Sequence, residues 1–561
     1  MPAKIADSFS LNKTQDPSST SDITTDEKVG EKQTFPPASF TQSASSDLNS
    51  EQNISGNLLE NKQTESDVTQ TTTQFQTTPS LSGDSPSVSV PPFNQPTVLQ
   101  QEDTGQKLNE QVIVTDETGI GKSKRRFSKI YLLVFILIIF LGILGFLVWK
   151  YLPKGFLGIG KGGEITWWGL WEEESIVQPL IDEYQNANPK VKITYLKQSP
   201  QDYQERLTNS LARGEGPDIF RYHNTWVPML RSELDPIPSS IISTEEFAKI
   251  YYPIITSDLT SGSGLVGLPL GYDALTLFIN EDIFSTYGKN PPQTWDDFRN
   301  LAKELTILDE KKEIQISGTA LGYTENVDHW PEIIALMMLQ NQVDLSKPKG
   351  QLTEDALGFF RSFGVVDKIW NNTLPPSTIS FANGKVAMYF APSWRAFEIK
   401  SINPNLRFKT VQLPQIPKET PSQANVSYAT YWVEGVWTRS VNKDEAWKFL
   451  KFLSTKENLE KLYQNASKTR SFGEPYPRTD MADLLKDHPI VGSIINLAPE
   501  AKSWYLASRT SDGQAGINTQ INKYFEDVVN SMGNARVAPA KLDTLTNGIT
   551  QVLSQYSLIK R

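Results

Sequence analysis

Cysteine is absent from the 561-residue chain. This excludes a disulfide framework, a thiolate metal site and a cysteine nucleophile. Histidine is nearly absent: His223, His329 and His488 lie far apart and no HExxH occurs. A histidine-based zinc site has no support from such spacing. Excess positive charge is missing too. The net charge of -10 argues against a general nucleic-acid binder, which carries a basic footprint. Apolar residues are scarce, at 38%, and the shortage is concentrated in residues 1–121. That stretch is Ser, Thr, Gln, Asn, Asp and Pro with isolated aromatics, as in TQTTTQFQTTPSLSGDSPSVSVPPF. It cannot bury enough apolar surface to offset its ordering entropy and is expected to be disordered.

Two glycine motifs are decoys. ETGIGKSK contains GKS, but Asp116 stands where a P-loop requires its first glycine, and a basic apolar segment follows instead of a soluble helix. GFLGIGKGG precedes the first strand, whereas a dinucleotide fingerprint follows one; residues 154–163 read as a flexible stalk. No cofactor is expected.

What the chain does have begins at Tyr131–Trp149, an apolar run without a charge. A helix of that length spans about 28 Å, close to a bilayer core. Aromatics flank it, and Lys122, Lys124, Arg125, Arg126 and Lys129 crowd its upstream side. The positive-inside rule then predicts an uncleaved single-pass anchor over residues 122–153 in the plasma membrane, with a cytoplasmic tail and an extracytoplasmic C-terminal domain. It starts too late, and is too long, for a cleaved signal peptide.

From Glu164 the pattern becomes globular. ITWW reads as a strand. Ile176, Leu180 and Tyr184 form one helical face. Val191, Ile193 and Tyr195 alternate as a strand. Tyr203, Leu207 and Leu211 form a second helical face stopped by Gly214, and DIF is again strand-like. Strand–helix–strand units at this spacing predict a parallel sheet covered by helices, and residues 164–561 suit two α/β lobes.

Ligands of open α/β sheets bind beyond the carboxyl ends of the strands. Trp168 and Trp171, beside Glu172, Glu173 and Glu174, are expected there, as are His223, Asn224 and Trp226. Aromatic faces beside carboxylates and amides suit a sugar, whose C–H face packs on a ring while its hydroxyls hydrogen-bond. Strand alternation points Trp167 into the core, opposite Trp168.

Four further stretches carry a resemblance. They are ARGEGPDIF, LPLGYDALTLFINEDIFSTYG, PPQTWDDF and FANGKVAMYFAPSW, followed in order by the helix AWKFLKFL. The region after the apolar run resembles the extracellular solute-binding proteins of ABC importers, in the sugar-binding branch that includes maltodextrin-binding proteins. The resemblance implies a type II-like two-lobed periplasmic-binding-protein fold, with a hinge of crossing strands. It also implies lobe closure on a carbohydrate without covalent chemistry, a monomeric binding domain, and ABC permease subunits as partners. Carried over by position, it points to Trp394, Trp432, Tyr272, Asp273, Trp330 and Trp504 as ligand contacts, with Asp273 as a hydroxyl acceptor. The family's lipobox cysteine is absent, and the apolar run takes its place.

Other readings compete. A polysaccharide-acting enzyme could use Glu172, Glu174 and Asp273 as its carboxylates, although no G-x-S-x-G elbow or metal set accompanies them. Tyr251–Tyr252 could ligate ferric ion, but their segment reads as a packed helix. A sensor or adhesin would signal through the tail.

Overall fold

The computed structural model describes residues 163–559, apart from 263, 419, 421 and 422, together with Ile139 alone upstream. The expected tail, basic flank and stalk, and the apolar run Tyr131–Trp149, lie outside the described residues except for Gly163 and Ile139. Among the described residues, no helix is long and apolar enough to cross a membrane.

The chain from Gly163 onward lies within one compact unit. It opens with β1 (Glu164–Gly169), α1 (Glu174–Ala187), β2 (Lys192–Lys197), α2 (Tyr203–Arg213) and β3 (Ile219–His223). β1 pairs in parallel with both β2 and β3. The two helices bury the faces that their spacing predicts, Ile176, Leu180 and Tyr184 on α1 and Tyr203, Leu207 and Leu211 on α2. α2 stops at Gly214, whose φ of +81° is a left-handed conformation favoured by glycine at helix ends.

A crossing segment over residues 266–274 leads into a second lobe. Its elements are β4 (Leu275–Asn280), α3 (Trp295–Glu304), β5 (Ile307–Leu308), β6 (Ile314–Thr319), α4 (Trp330–Gln340), α5 (Gln351–Val365), β7 (Val386–Pro392), α6 (Arg395–Ile402) and β8 (Phe408–Val411). Thr294 and Asp297 form a reciprocal capping box at the start of α3. The sheet order is β8-β4-β7-β6-β5. Only β6 and β7 pair in parallel; the other neighbours are antiparallel. This sheet is mixed, unlike the parallel β1, β2 and β3 that the strand–helix pattern predicts. Alternation reports which residues are buried but not strand direction, and β4 is entered from the crossing segment, not from a helical crossover.

The chain returns through residues 427–431 to β9 (Trp432–Val436), which joins the first sheet antiparallel to β3, giving the order β9-β3-β1-β2. The apolar stretch after it forms two helices, α7 (Lys443–Leu453) and α8 (Lys456–Ser467), because Thr455 caps the second. A third passage, Ala501–Lys502, lies parallel to Ser427–Tyr428. α9 (Ile517–Asn530) and α10 (Pro539–Gln555) then supply Phe525, Val528, Ile549 and Val552 to the second core.

Each lobe has its own core. Trp167, Tyr251 and Tyr252 lie in the first, where both tyrosines pack; Trp295, Trp370 and Phe298 lie in the second. At the hinge, Leu268 and Glu434 exchange backbone hydrogen bonds of 2.9 and 3.1 Å. Gly267 makes that approach possible. A Cβ there would lie 2.4 Å from the Tyr222 hydroxyl and 2.5 Å from Val433 Cγ1.

Candidate binding cleft

Between the lobes lies a cavity of about 530 Å³, lined by residues of both. That is within the size range of small-molecule pockets.

The first-lobe wall comes from the loop after β1 and from β3 and β9. Trp171, 40% exposed, stands at the rim. Its ring meets Trp432, the first residue of β9, edge-on at 5.7 Å. Trp432 is fixed in turn against His223 at 5.2 Å and the buried Trp226 at 5.4 Å. Beneath these rings lies a buried ion network. Arg221 on β3 pairs with Glu172 and Glu434, its Nε donating to Glu434 Oε1 at 2.7 Å. Arg221 and Glu434 face each other because β9 and β3 pair in that register. Trp167 Nε1 donates to Glu434 Oε2 at 3.1 Å. Burial opposes a charged guanidinium, but Glu172 and Glu434 outweigh it and hold the Arg221 pKa above its ordinary value. Burial pushes the His223 imidazole down to about 3, so that it is neutral.

The second-lobe wall centres on Trp394, which precedes α6. The Arg395 guanidinium sits 4.4 Å from its ring, and His329 meets it edge-on at 5.8 Å. Arg395 Nε donates to His329 Nε2 at 2.9 Å. That nitrogen must therefore carry a lone pair, and burial likewise lowers the His329 pKa. His329 Nδ1 lies 3.1 Å from Ser508 Oγ, which donates to Glu332 Oε1 at 2.9 Å. Glu332 Oε2 is buried and has no partner among the described residues.

Asp273 joins the two walls. Its Oδ1 accepts from the backbone N–H groups of Ala274 (2.7 Å) and Ser393 (3.0 Å). Its Oδ2 accepts from Ser393 Oγ (3.0 Å) and Trp394 N (3.3 Å). A carboxylate offers about four acceptor sites, so none is left for a ligand hydroxyl. Asp273 is a positioning residue that fixes the Trp394 loop to the hinge, not the hydroxyl acceptor expected. Burial pushes its pKa up to about 7, against the pull of the Ser393 and Ala274 N–H groups.

Of the residues singled out in the sequence, the structure brings Trp171, Glu172, His223, Tyr272, Asp273, Trp394 and Trp432 to this cavity. Trp226 packs in the first core, and four more lie elsewhere. Trp168 packs half-buried against the first core, opposite Leu196 and Phe220 in register. A side chain within a strand projects to a sheet face; only the loop beyond, at Trp171 and Glu172, reaches over the strand end. Trp330 turns into the second core while its helix neighbours His329 and Glu332 face the cavity. Asn224 donates to Asp258 Oδ2 at 2.9 Å and, with Trp504, lines a separate cavity of about 260 Å³. The Trp504 backbone is held by hydrogen bonds with the Tyr428 hydroxyl, 3.2 and 2.7 Å.

Sequence reasoning missed Arg221, Glu332 and His329. One signal was present: a lone arginine in the apolar strand IFRYH, whose five residues are all buried, and a lone glutamate in WVEGV. A charge in the middle of a buried strand requires a partner.

Residues 179–488 match the family described as bacterial extracellular solute-binding protein. The chain is 21% identical over 395 residues to the multiple sugar-binding protein of Streptococcus mutans, covering 64% of this chain and 89% of that one. It is 21% identical over 304 residues to the maltotriose-binding protein of Pyrococcus abyssi, covering 53% and 63%. In fold it is similar to the sugar-binding protein MalE from Xanthomonas citri (TM-score 0.56, 18% identity, 70% of this chain and 98% of that one). A cyclo/maltodextrin-binding protein solved with maltotetraose is similar to the same degree (TM-score 0.56, 14% identity, 72% and 99%).

Proposed function

Because the chain belongs to the bacterial extracellular solute-binding protein family, with more than half its length matched, we propose that the cleft captures a carbohydrate, probed first as an oligosaccharide. In this reading the lobes close on the ligand and present it to an ABC permease. The apolar run Tyr131–Trp149 holds the binding domain at the outer face of the membrane, where a lipid anchor cannot form without cysteine. One observation carries the reading. Aromatic rings from both lobes, Trp171 and Trp432 on one side and Trp394 on the other, line one cavity together with carboxylates. Rings on opposing walls stack on the two faces of a pyranose, and polar groups between them take its hydroxyls. The names of the relatives point to the same ligand class. The carboxylates bind and orient, and no bond of the ligand is broken.

Calorimetric titration with a malto-oligosaccharide series and other oligosaccharides tests this. Truncating a central aromatic costs on the order of 2 kcal/mol, roughly thirtyfold in affinity. Trp394→Ala is expected to weaken the tightest sugar by that factor while leaving the melting temperature nearly unchanged. Unaltered affinity in Trp394→Ala, or no binding of any sugar by the native chain, would refute the reading.

A further inference from the structure

Five carboxylates line the cleft: Glu172, Asp273, Glu332, Glu398 and Glu474. Four have a contacting cation or a full set of donors. Glu172 pairs with Arg221, Glu398 with Arg395 and Glu474 with Arg470, and Asp273 has its four donors. Glu332 differs. It is 1% exposed. Its Oε1 accepts from Ser508 N at 2.7 Å and from Ser508 Oγ at 2.9 Å. Its Oε2 meets no donor among the described residues.

The adjacent histidine does not neutralise it. His329 Nδ1 is 3.8 Å from Glu332 Oε1, but the Arg395 N–H aimed at Nε2 requires a neutral ring. The donors therefore run one way, from Arg395 to His329 to Ser508 to Glu332. The cation is at the far end of this relay, and Glu332, which lines the cleft, is at the other. Burial opposes the charged form of Glu332, but its hydrogen-bonding neighbours outweigh it and hold its pKa below the ordinary value, so a charged carboxylate lies buried without a contacting cation. A charged donor on a ligand would relieve that more than a neutral hydroxyl would, because hydrogen bonds to charged partners are the stronger class.

We propose that the saccharide taken by this cleft carries a protonated amine, an amino sugar, which docks on Glu332 Oε2; the inference rests on the carbohydrate reading above. Glu332 is then the residue that sets specificity, and Ser508 and His329 position it.

The test uses the full chain and matched pairs that differ only in a 2-amino or 2-hydroxyl group. These are glucosamine and glucose, galactosamine and galactose, mannosamine and mannose, and the β-1,4-linked trisaccharides of glucosamine and glucose. Binding is read by tryptophan fluorescence at mildly acidic pH, where the amines are charged. At least one amine is expected to bind about tenfold or more tighter than its hydroxyl partner. Glu332→Gln is expected to remove that preference. If neutral sugars bind the native chain as well as every amine does, the inference falls and the carbohydrate reading stands. A preference that survives Glu332→Gln also overturns it. If neither these sugars nor the oligosaccharide series bind, both fall together. The native comparison decides the matter even if the variant fails to fold.

Discussion

Replacing Arg221 with methionine removes the guanidinium from between two carboxylates while keeping an unbranched apolar stem. Arg221 and Glu172 are each 6% exposed and Glu434 is 1% exposed, so water screens these charges only weakly. Glu434 keeps the Trp167 indole as a donor, at 3.1 Å, but Glu172 loses its cation. Breaking a buried ion pair by removing one partner costs about 3–5 kcal/mol, because the remaining charge is left uncompensated. Here two charges remain, and one can escape by taking up a proton. Arg221→Met is therefore expected to lower unfolding free energy by about 3–5 kcal/mol near neutral pH, and by less as pH falls and the carboxylates protonate. The triple variant Glu172→Gln, Arg221→Met, Glu434→Gln removes all three charges. It is expected to recover most of the loss, as buried ion networks replaced by neutral groups often do. Urea unfolding of the native chain and both variants at two pH values measures this. A loss below about 1 kcal/mol in Arg221→Met, or a triple variant less stable than the single one, would show that the network is not the buried, coupled unit described.

Asp273 gives a pH signature. Its folded-state pKa of about 7 lies above its ordinary value of 3.8. The folded chain therefore binds a proton that the unfolded chain has released, and this contribution to stability is full below about pH 4 and lost as pH rises through about 7. Asp273→Asn cannot titrate, so its melting temperature should fall less steeply over that range. Parallel profiles would refute the assignment. Asp258, raised by burial to about 6, contributes in the same direction in both proteins. For topology, protease applied to intact cells, with any outer layer permeabilised, should degrade the region after Lys154 and spare the tail. A protected C-terminal domain would sink the proposed anchoring.

The repeating parts of the fold were legible. The faces of α1 and α2 and the inward Trp167 follow from periodicity, since burial of one face imposes a spacing on the chain. The cleft was legible where a residue lies just past a strand's end, as at Trp171, and through the family resemblance at Trp394. It was not legible where one residue of register decides the direction. Trp168 and Trp171 look alike in sequence, yet one belongs to a strand face and the other to the loop over its end. Trp330 and Glu332 differ only by rotation about α4. Arg221 and Glu434 each signalled a need for a partner, but not which one, because the strands that carry them are joined only after the second lobe intervenes.

That same pairing bears on the order in which the molecule can assemble. Arg221 and Glu434 are 213 positions apart, and β9 forms the edge of the sheet begun by β1, β2 and β3. The lobe that starts first during synthesis is therefore missing a strand, and holds an unpaired buried arginine, until every strand of the second sheet has been made. Contacts this distant must wait for a large loop to close, and topologies rich in them fold slowly. Until β9 arrives, β3 presents an open edge of the kind that pairs with other chains. The interval between the emergence of β3 and β9 is thus the period in which the nascent chain has most need of protection.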